Sequence, residues 1–157
     1  LDQACYEVLK WTVKLVEESG RYMDPDTTEA LAWISGFLKD QSVEDSRTFA
    51  VFAAQTIDDK KGLDVIVLDI QGKSMFADYL LIATGGSERQ INALASEVED
   101  RAEKRGRFVR HIEGRNGSGW ILMDYGDVVI NILSASMREK YDLEKIWSDC
   151  ERIEWEV

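Results

Sequence analysis

The residues with the most chemical reach in this chain are its carboxylates, one glycine-lysine-serine run, a single histidine and two cysteines. Their spacing decides what they can do. Metal-assisted nucleotidyl transfer needs paired acids on one face of a strand, which in sequence means Asp at i and i+2. Asp124 and Asp127 differ by three and flank a turn signal, and the one Asp-x-Asp, Asp24 with Asp26, stands at a helix start outside the core pattern. Gly72, Lys73 and Ser74 imitate the end of a phosphate-binding loop, but that loop requires a glycine where this chain has Val67. Gly85, Gly86 and Ser87 are accounted for by the capping of a following helix. A nucleophile elbow at Ser87 would need a glycine in place of Arg89, and its only available base is His111, the sole histidine. Cys5 and Cys150 match neither a zinc spacing nor a redox pair. We therefore expect no cofactor, no metal and no catalysis. A magnesium-dependent nucleotidyltransferase using Asp69, Asp78 and Asp124 stands as the alternative, and a generic assembly module acting through the N-terminal helices as a third.

The elements that must position these residues are legible from periodicity. In residues 1–47, Cys5, Leu9, Val13 and Val16 recur at helical spacing before Gly20, and Ala30, Ile34, Phe37 and Leu38 form a second stripe after Pro25 and Asp26. These predict a helical hairpin extension ending in a polar linker over 39–47. A further helix over 48–58 offers Phe49, Phe52, Ala53 and Thr56 or Ile57 to a core. The period then changes: residues 64–70 (DVIVLDI) and 79–84 (YLLIAT) are short apolar, β-branched runs bounded by Gly72 and Gly85, the pattern of buried strands.

Ser87 with Gln90 three residues on reads as a capping box, followed by the face Ile91, Leu94, Ala95, Val98 and Ala102 and stopped by Gly106. A strand over 108–112 comes next. Residues 120–124 and 128–133 then flank Tyr125, Gly126 and Asp127, a hairpin signal in which Tyr125, beside the turn glycine, is expected to be exposed. A short helix over 136–140 and a turn carrying Leu143 to Trp147 close a domain spanning 48–149. In the tail, 150–157, Ile153, Trp155 and Val157 alternate with Glu, which fits an edge strand or a disordered end. The sum is an α/β or α+β fold, a mixed sheet of about five strands packed with helices.

Composition sets the partners. With 45% hydrophobic residues in 157, the chain can bury a sizeable core. Its net charge of −11 is spread as 5 basic and 10 acidic groups over 1–47, 13 and 17 over 48–149, and 1 and 3 over 150–157. Such a surface repels phosphates and favours a basic protein partner, so direct nucleic-acid recognition is not expected. No run is long and apolar enough for a membrane span, and no signal-peptide pattern opens the chain. A cytoplasmic location is expected, or an organelle if a targeting segment has been removed.

Several segments together carry a family resemblance: TIDDKKGLDVIVLDIQGKS, FADYLLIATGGSERQINALASEVE, HIEGRNGSGWILMDYGDVVINIL and REKYDLEKIW. In order, spacing and termination near Trp147, residues 56–149 resemble the ribosome silencing factors of the Iojap family. The resemblance implies a nucleotidyltransferase-like sheet without catalysis. It also implies binding to large-subunit ribosomal protein fourteen, steric obstruction of the small subunit, repression of translation, and a homodimer when free. Onto this chain it carries Trp120, Asp124, Tyr125 and Asp127 of the hairpin as the partner-binding surface, an aromatic anchor ringed by acids that suits a basic partner. The competing reading of Trp120 is a core residue. Tyr141, Leu143, Glu144 and Trp147 also match, with packing on the sheet favoured over contact. Asn131 and Gly86 depart from the pattern, which often has His and Thr there.

Overall fold

The computed structural model describes residues 45–156. The chain divides into two compact units, Leu1–Asp45 and Ser46–Val157, and the helical hairpin expected of residues 1–47 lies outside the described residues up to position 44. The second unit opens with helix α1, Ser46–Asp59, which takes in the last two residues of the expected linker. Phe49, Ala50, Ala53, Ala54 and Ile57 form its buried stripe, and the Thr56 hydroxyl donates to the Phe52 carbonyl one turn back, which satisfies a polar group that the core would otherwise leave unpaired.

Strands β1 (Leu63–Asp69) and β2 (Tyr79–Thr84) come next, then helix α2 (Glu88–Glu103), strands β3 (His111–Glu113), β4 (Trp120–Asp124) and β5 (Val128–Leu133), short helices α3 (Ala135–Tyr141) and α4 (Leu143–Ile146), and strand β6 (Glu151–Arg152). Ser87 caps α2 by accepting from the Gln90 amide at 3.1 Å. The Gln90 side chain closes the box one residue early, accepting from the Gly86 amide and donating to the Lys61 carbonyl at 2.9 Å, so it also ties the helix start to the loop before β1. The polar run at Gly72 is a turn: Lys73 and Ser74 donate their amides to the Ile70 carbonyl.

Among the described residues the sheet has six strands in the order β3-β4-β5-β2-β1-β6. β2 and β5 run parallel and the other neighbours antiparallel, so the fold is α+β with a mixed sheet. A parallel pair needs a long crossover, and α2 with β3 and β4 lies within it. Every residue of β2 is buried, which is why its sequence shows no alternation. One face of the sheet packs Val67, Leu81, Ala83, Ile121, Met123, Ile130 and Ile132 against α1 and α2. The other gathers Leu68, Ile70, Leu80, Ile82 and Leu133, with Met137, Leu143 and Trp147 from the α3–α4 region laid on them.

The strand count exceeds the expected five because the tail is an edge strand. Leu68 and Asp69 pair with Arg152 and Glu151, the Ile153 amide donates to Val67 at 2.8 Å, and the Trp155 indole donates to the Val65 carbonyl at 3.0 Å. Ile153 is buried in the helix-side core. The compact unit thus extends beyond 48–149 on both sides, to Ser46 at one end and into the tail at the other.

Ile153→Ala should cost about 2–5 kcal/mol in denaturant unfolding, the range for emptying a buried Ile site. A midpoint within error of the parent's would mean that the tail contributes nothing to the core.

Candidate functional site

Because side chains alternate across a strand, cross-strand partners in β1 to β5 form rows that can be traced across one face of the sheet. On the α3–α4 side, one row runs Ile66, Ile82, Asn131, Leu122, Glu113, and the next Leu68, Leu80, Val129, Asp124, His111. Ile66, near the β6 edge, is half-buried, and from β2 outward to β3 burial falls along both rows. Leu68, Leu80, Ile82 and Asn131 are buried, Leu122, Val129 and Asp124 are half-buried, and His111 and Glu113 are exposed. The short helices thus leave the β3–β4 end of this face accessible, with Leu122, Val129 and the half-buried Trp120 as an apolar centre and Asp124 and Glu113 as acidic groups beside it.

Trp120 is held from two directions. Its Nε1–H donates to Asn131 Oδ1 at 2.9 Å, and its ring lies 5.2 Å from that of Tyr141, tilted by 51°. Tyr141 ends α3 and is itself exposed. Trp120 is thus neither a sealed core residue nor a free surface ring. Asp124 uses Oδ1 to accept from the Gly126 amide at 2.7 Å, shaping the turn, and its other oxygen has no partner among the described residues. Gly126 is required in that turn: φ is +91°, and a Cβ there would meet the Arg110 guanidinium at 2.6 Å.

The remaining hairpin residues are not where their sequence positions suggest. Tyr125 is 4% exposed, on the opposite face, with its ring edge-on to Phe49 at 4.7 Å. Position 125 lies an odd number of residues from 120, so a regular strand sends the two rings to opposite sides. Its hydroxyl has no hydrogen-bond partner among the described residues, and burial pushes its pKa well above the usual phenol value. Tyr125 therefore supports the hairpin from within, and the expectation that it is exposed is corrected.

Asp127 is also engaged internally: one carboxylate oxygen accepts from Arg107 Nη2 at 2.5 Å and the other from the Ser46 hydroxyl at 2.7 Å. Its backbone carbonyl accepts from the amides of Asp78 and Tyr79. The side chain joins α1, the loop after α2 and the start of β5.

In the C-terminal set, Leu143 and Trp147 pack on the sheet, and Glu144 accepts from Arg138 Nε at 2.6 Å. Arg138 also donates to the Asp64 carbonyl and the Thr84 hydroxyl, riveting α3 to β1 and β2. In this set Leu143 and Trp147 are thus packed, Glu144 is ion-paired and Tyr141 is exposed. Asp69, Asp78 and Asp124 are not assembled into a metal centre, and among the described residues no group of three or more His, Cys, Asp or Glu side chains is placed to hold an ion. Leu122, Val129 and Asn131, which the sequence reading does not single out for this face, lie on it beside Trp120. Their signal was the hairpin register: once Leu122 is set opposite Asn131 and Asp124 opposite Val129, they share the face of Trp120.

Comparison with known proteins gives this face a context. A family model described as ribosomal silencing factor during starvation matches residues 43–157, so the match continues through α1 and β6. The chain is 42% identical over 97 residues to ribosomal silencing factor RsfS of Bacillus subtilis, covering 62% of this chain and 82% of the relative. Over 110 residues it is 34% identical to the chloroplastic protein Iojap of Arabidopsis thaliana, covering 70% of this chain and 46% of that protein. A crystal structure of a Chromobacterium violaceum protein aligns with a TM-score of 0.64 at 32% identity, covering 66% of this chain and 87% of the other.

The burial of Tyr125 and the pairing of Asp127 make these two positions tests of stability. Tyr125→Phe removes a buried hydroxyl without a partner and should leave thermal stability unchanged or raise it by up to about 1 kcal/mol. Since the folded state holds the phenol neutral while an unfolded tyrosine ionises near about pH 10, the parent should lose stability as pH rises above that value. The Phe variant should lose less. Asp127→Lys sets a cation against the half-buried Arg107 and removes the acceptor of the Ser46 hydroxyl, and should destabilise by about 1–3 kcal/mol. An Asp127→Lys protein as stable as the parent in denaturant would refute that assignment.

Proposed function

The chain belongs to the family of ribosomal silencing factors, and on that premise we propose that it represses translation by docking on the large ribosomal subunit and excluding the small one. The docking surface is the accessible β3–β4 end of the sheet, with Trp120, Leu122 and Val129 at its centre and Asp124 beside them. Its partner is a basic surface of large-subunit ribosomal protein fourteen, as the family resemblance implies. Tyr141, stacked on Trp120, extends the surface.

The observation that carries this reading is the gradient of burial across one sheet face. A sheet face either packs on a layer of its own chain or meets something else, and here the covering helices reach β4 only at its Trp120 end, through Tyr141, and leave Leu122 and Asp124 half-buried. Half-buried Trp, Leu and Val with an adjacent carboxylate make an apolar centre with an acidic rim, the composition of a protein interface core and its edge. The chain's net charge of −11 disfavours phosphate and favours a basic protein.

On this reading silencing is steric and calls for no chemistry and no cofactor. No helix among the described residues is long and apolar enough to cross a membrane, and we place the protein where ribosomes are, in the cytoplasm or an organelle. A homodimer in the free state is also expected from the family, and light scattering of the full chain reads it directly.

The test is co-sedimentation with purified large subunits. Leu122→Glu, Asp124→Lys and Trp120→Ala should each weaken binding by at least about 1 kcal/mol and release the block on small-subunit joining, with circular dichroism confirming the fold. Affinity should also fall as salt rises. If all three folded variants bind and block as the parent does, the interface lies on another surface.

A further inference from the structure

We propose that Asn131 is a positioning residue for docking: its buried carboxamide fixes the Trp120 indole in the orientation in which the ring meets the partner. The inference rests on the docking reading above and adds to it a residue that touches no partner.

Asn131 is 2% exposed and sits in the middle of β5, with Ile82 on one side and Leu122 on the other. An aliphatic side chain would suit that row, as Ile130, Ile132 and Leu133 suit their own positions, and a buried carboxamide is tolerated only when its polar atoms find partners. Its oxygen faces Trp120 Nε1 at 2.9 Å. An indole N–H can only donate, so the chemistry of the pair requires the oxygen of the carboxamide there and not its nitrogen.

The consequence lies with the indole. A half-buried tryptophan on a sheet face has two side-chain torsions to settle. The hydrogen bond to Asn131 fixes the edge of the ring and the Tyr141 ring, 5.2 Å away, limits its face. Trp120 is thereby ordered before any partner arrives, and the entropy that docking would otherwise spend on ordering it is not required. Docking also shuts water out. An indole N–H without an internal acceptor would then be buried unpaired, whereas Asn131 satisfies it in both the free and the bound state.

The test uses the full chain, purified large subunits and three variants: Asn131→Leu, which removes the acceptor, Trp120→Phe, which keeps an aromatic ring but removes the donor, and the double variant. Asn131→Leu should weaken binding roughly three- to tenfold, the worth of one net hydrogen bond. The double variant should bind no worse than Trp120→Phe alone, because the two single changes break the same bond. In ¹⁵N-tryptophan spectra, the indole resonance absent from Trp120→Phe belongs to Trp120. In Asn131→Leu it should move toward the value of a solvated indole and exchange faster with solvent.

Parent-like affinity in Asn131→Leu, fully additive losses in the double variant, or an unmoved indole resonance would each overturn the positioning role while leaving the docking face in place. Should Asn131→Leu fail to fold, parent-like affinity in Trp120→Phe overturns the role instead. A parent chain that does not co-sediment with large subunits removes the docking reading and this inference with it, a result distinct from all of the others.

Discussion

Strand β2 sets the terms for the rest of the domain. All six of its residues are buried, so both of its faces need a covering layer and both of its edges need partners, since no water is at hand for an unpaired amide. One edge is served by β1, its neighbour in sequence, and the other by β5, which runs parallel. The parallel pairing obliges the chain to travel a long way before β5, and that excursion supplies α2, which covers one face, and the β3–β4 pair, which widens the sheet. The second face is closed by α3 and α4, directly after β5 in the chain. Because these two helices are short, they cover the middle of the sheet and not its widened end. The accessible face around Trp120 is thus a by-product of burying β2 completely.

The features legible in the sequence are those written in local code. The bounds of β2, the Ser87 cap with Gln90, and the hairpin around Gly126 depend on residues within a few positions of each other, and the structure places them there. The sixth strand was harder to read because its ladder is two residues long and its anchors, Val65 and Val67, are far away in sequence. The partners of the charges were also hard to read, for a similar reason. Asp127 looks like its neighbour Asp124 in the sequence, yet it is ion-paired with Arg107 and accepts from the Ser46 hydroxyl, and nothing near position 127 announces either partner.

Tyr125 is a different kind of error, since the information was present. Counting from Trp120 to Tyr125 gives an odd step, and strand geometry alone assigns the two rings to opposite faces. Composition drew the eye to an aromatic beside a turn, while parity would have sent it inward, against Phe49. Parity also finds Leu122 and Asn131. The more useful unit of reading for such a hairpin is the pair across the ladder, because each pair either joins the core or remains available to something outside it.

The two edges of β1 are closed by segments at very different distances along the chain: β2 arrives after one short loop, whereas β6 must return from beyond position 150. Loop closure makes the near pairing fast and the distant one slow. During refolding there is consequently an interval in which β1 has a partner on one side only, and its exposed edge reads Val65, Ile66, Val67, a β-branched run with an open ladder. The chain's own tail closes that edge at the high effective concentration of a tethered segment, ahead of any strand from a second molecule. The tail thus has a second task besides its share of the core, which is to cover a β-branched edge that would otherwise stay open to pairing.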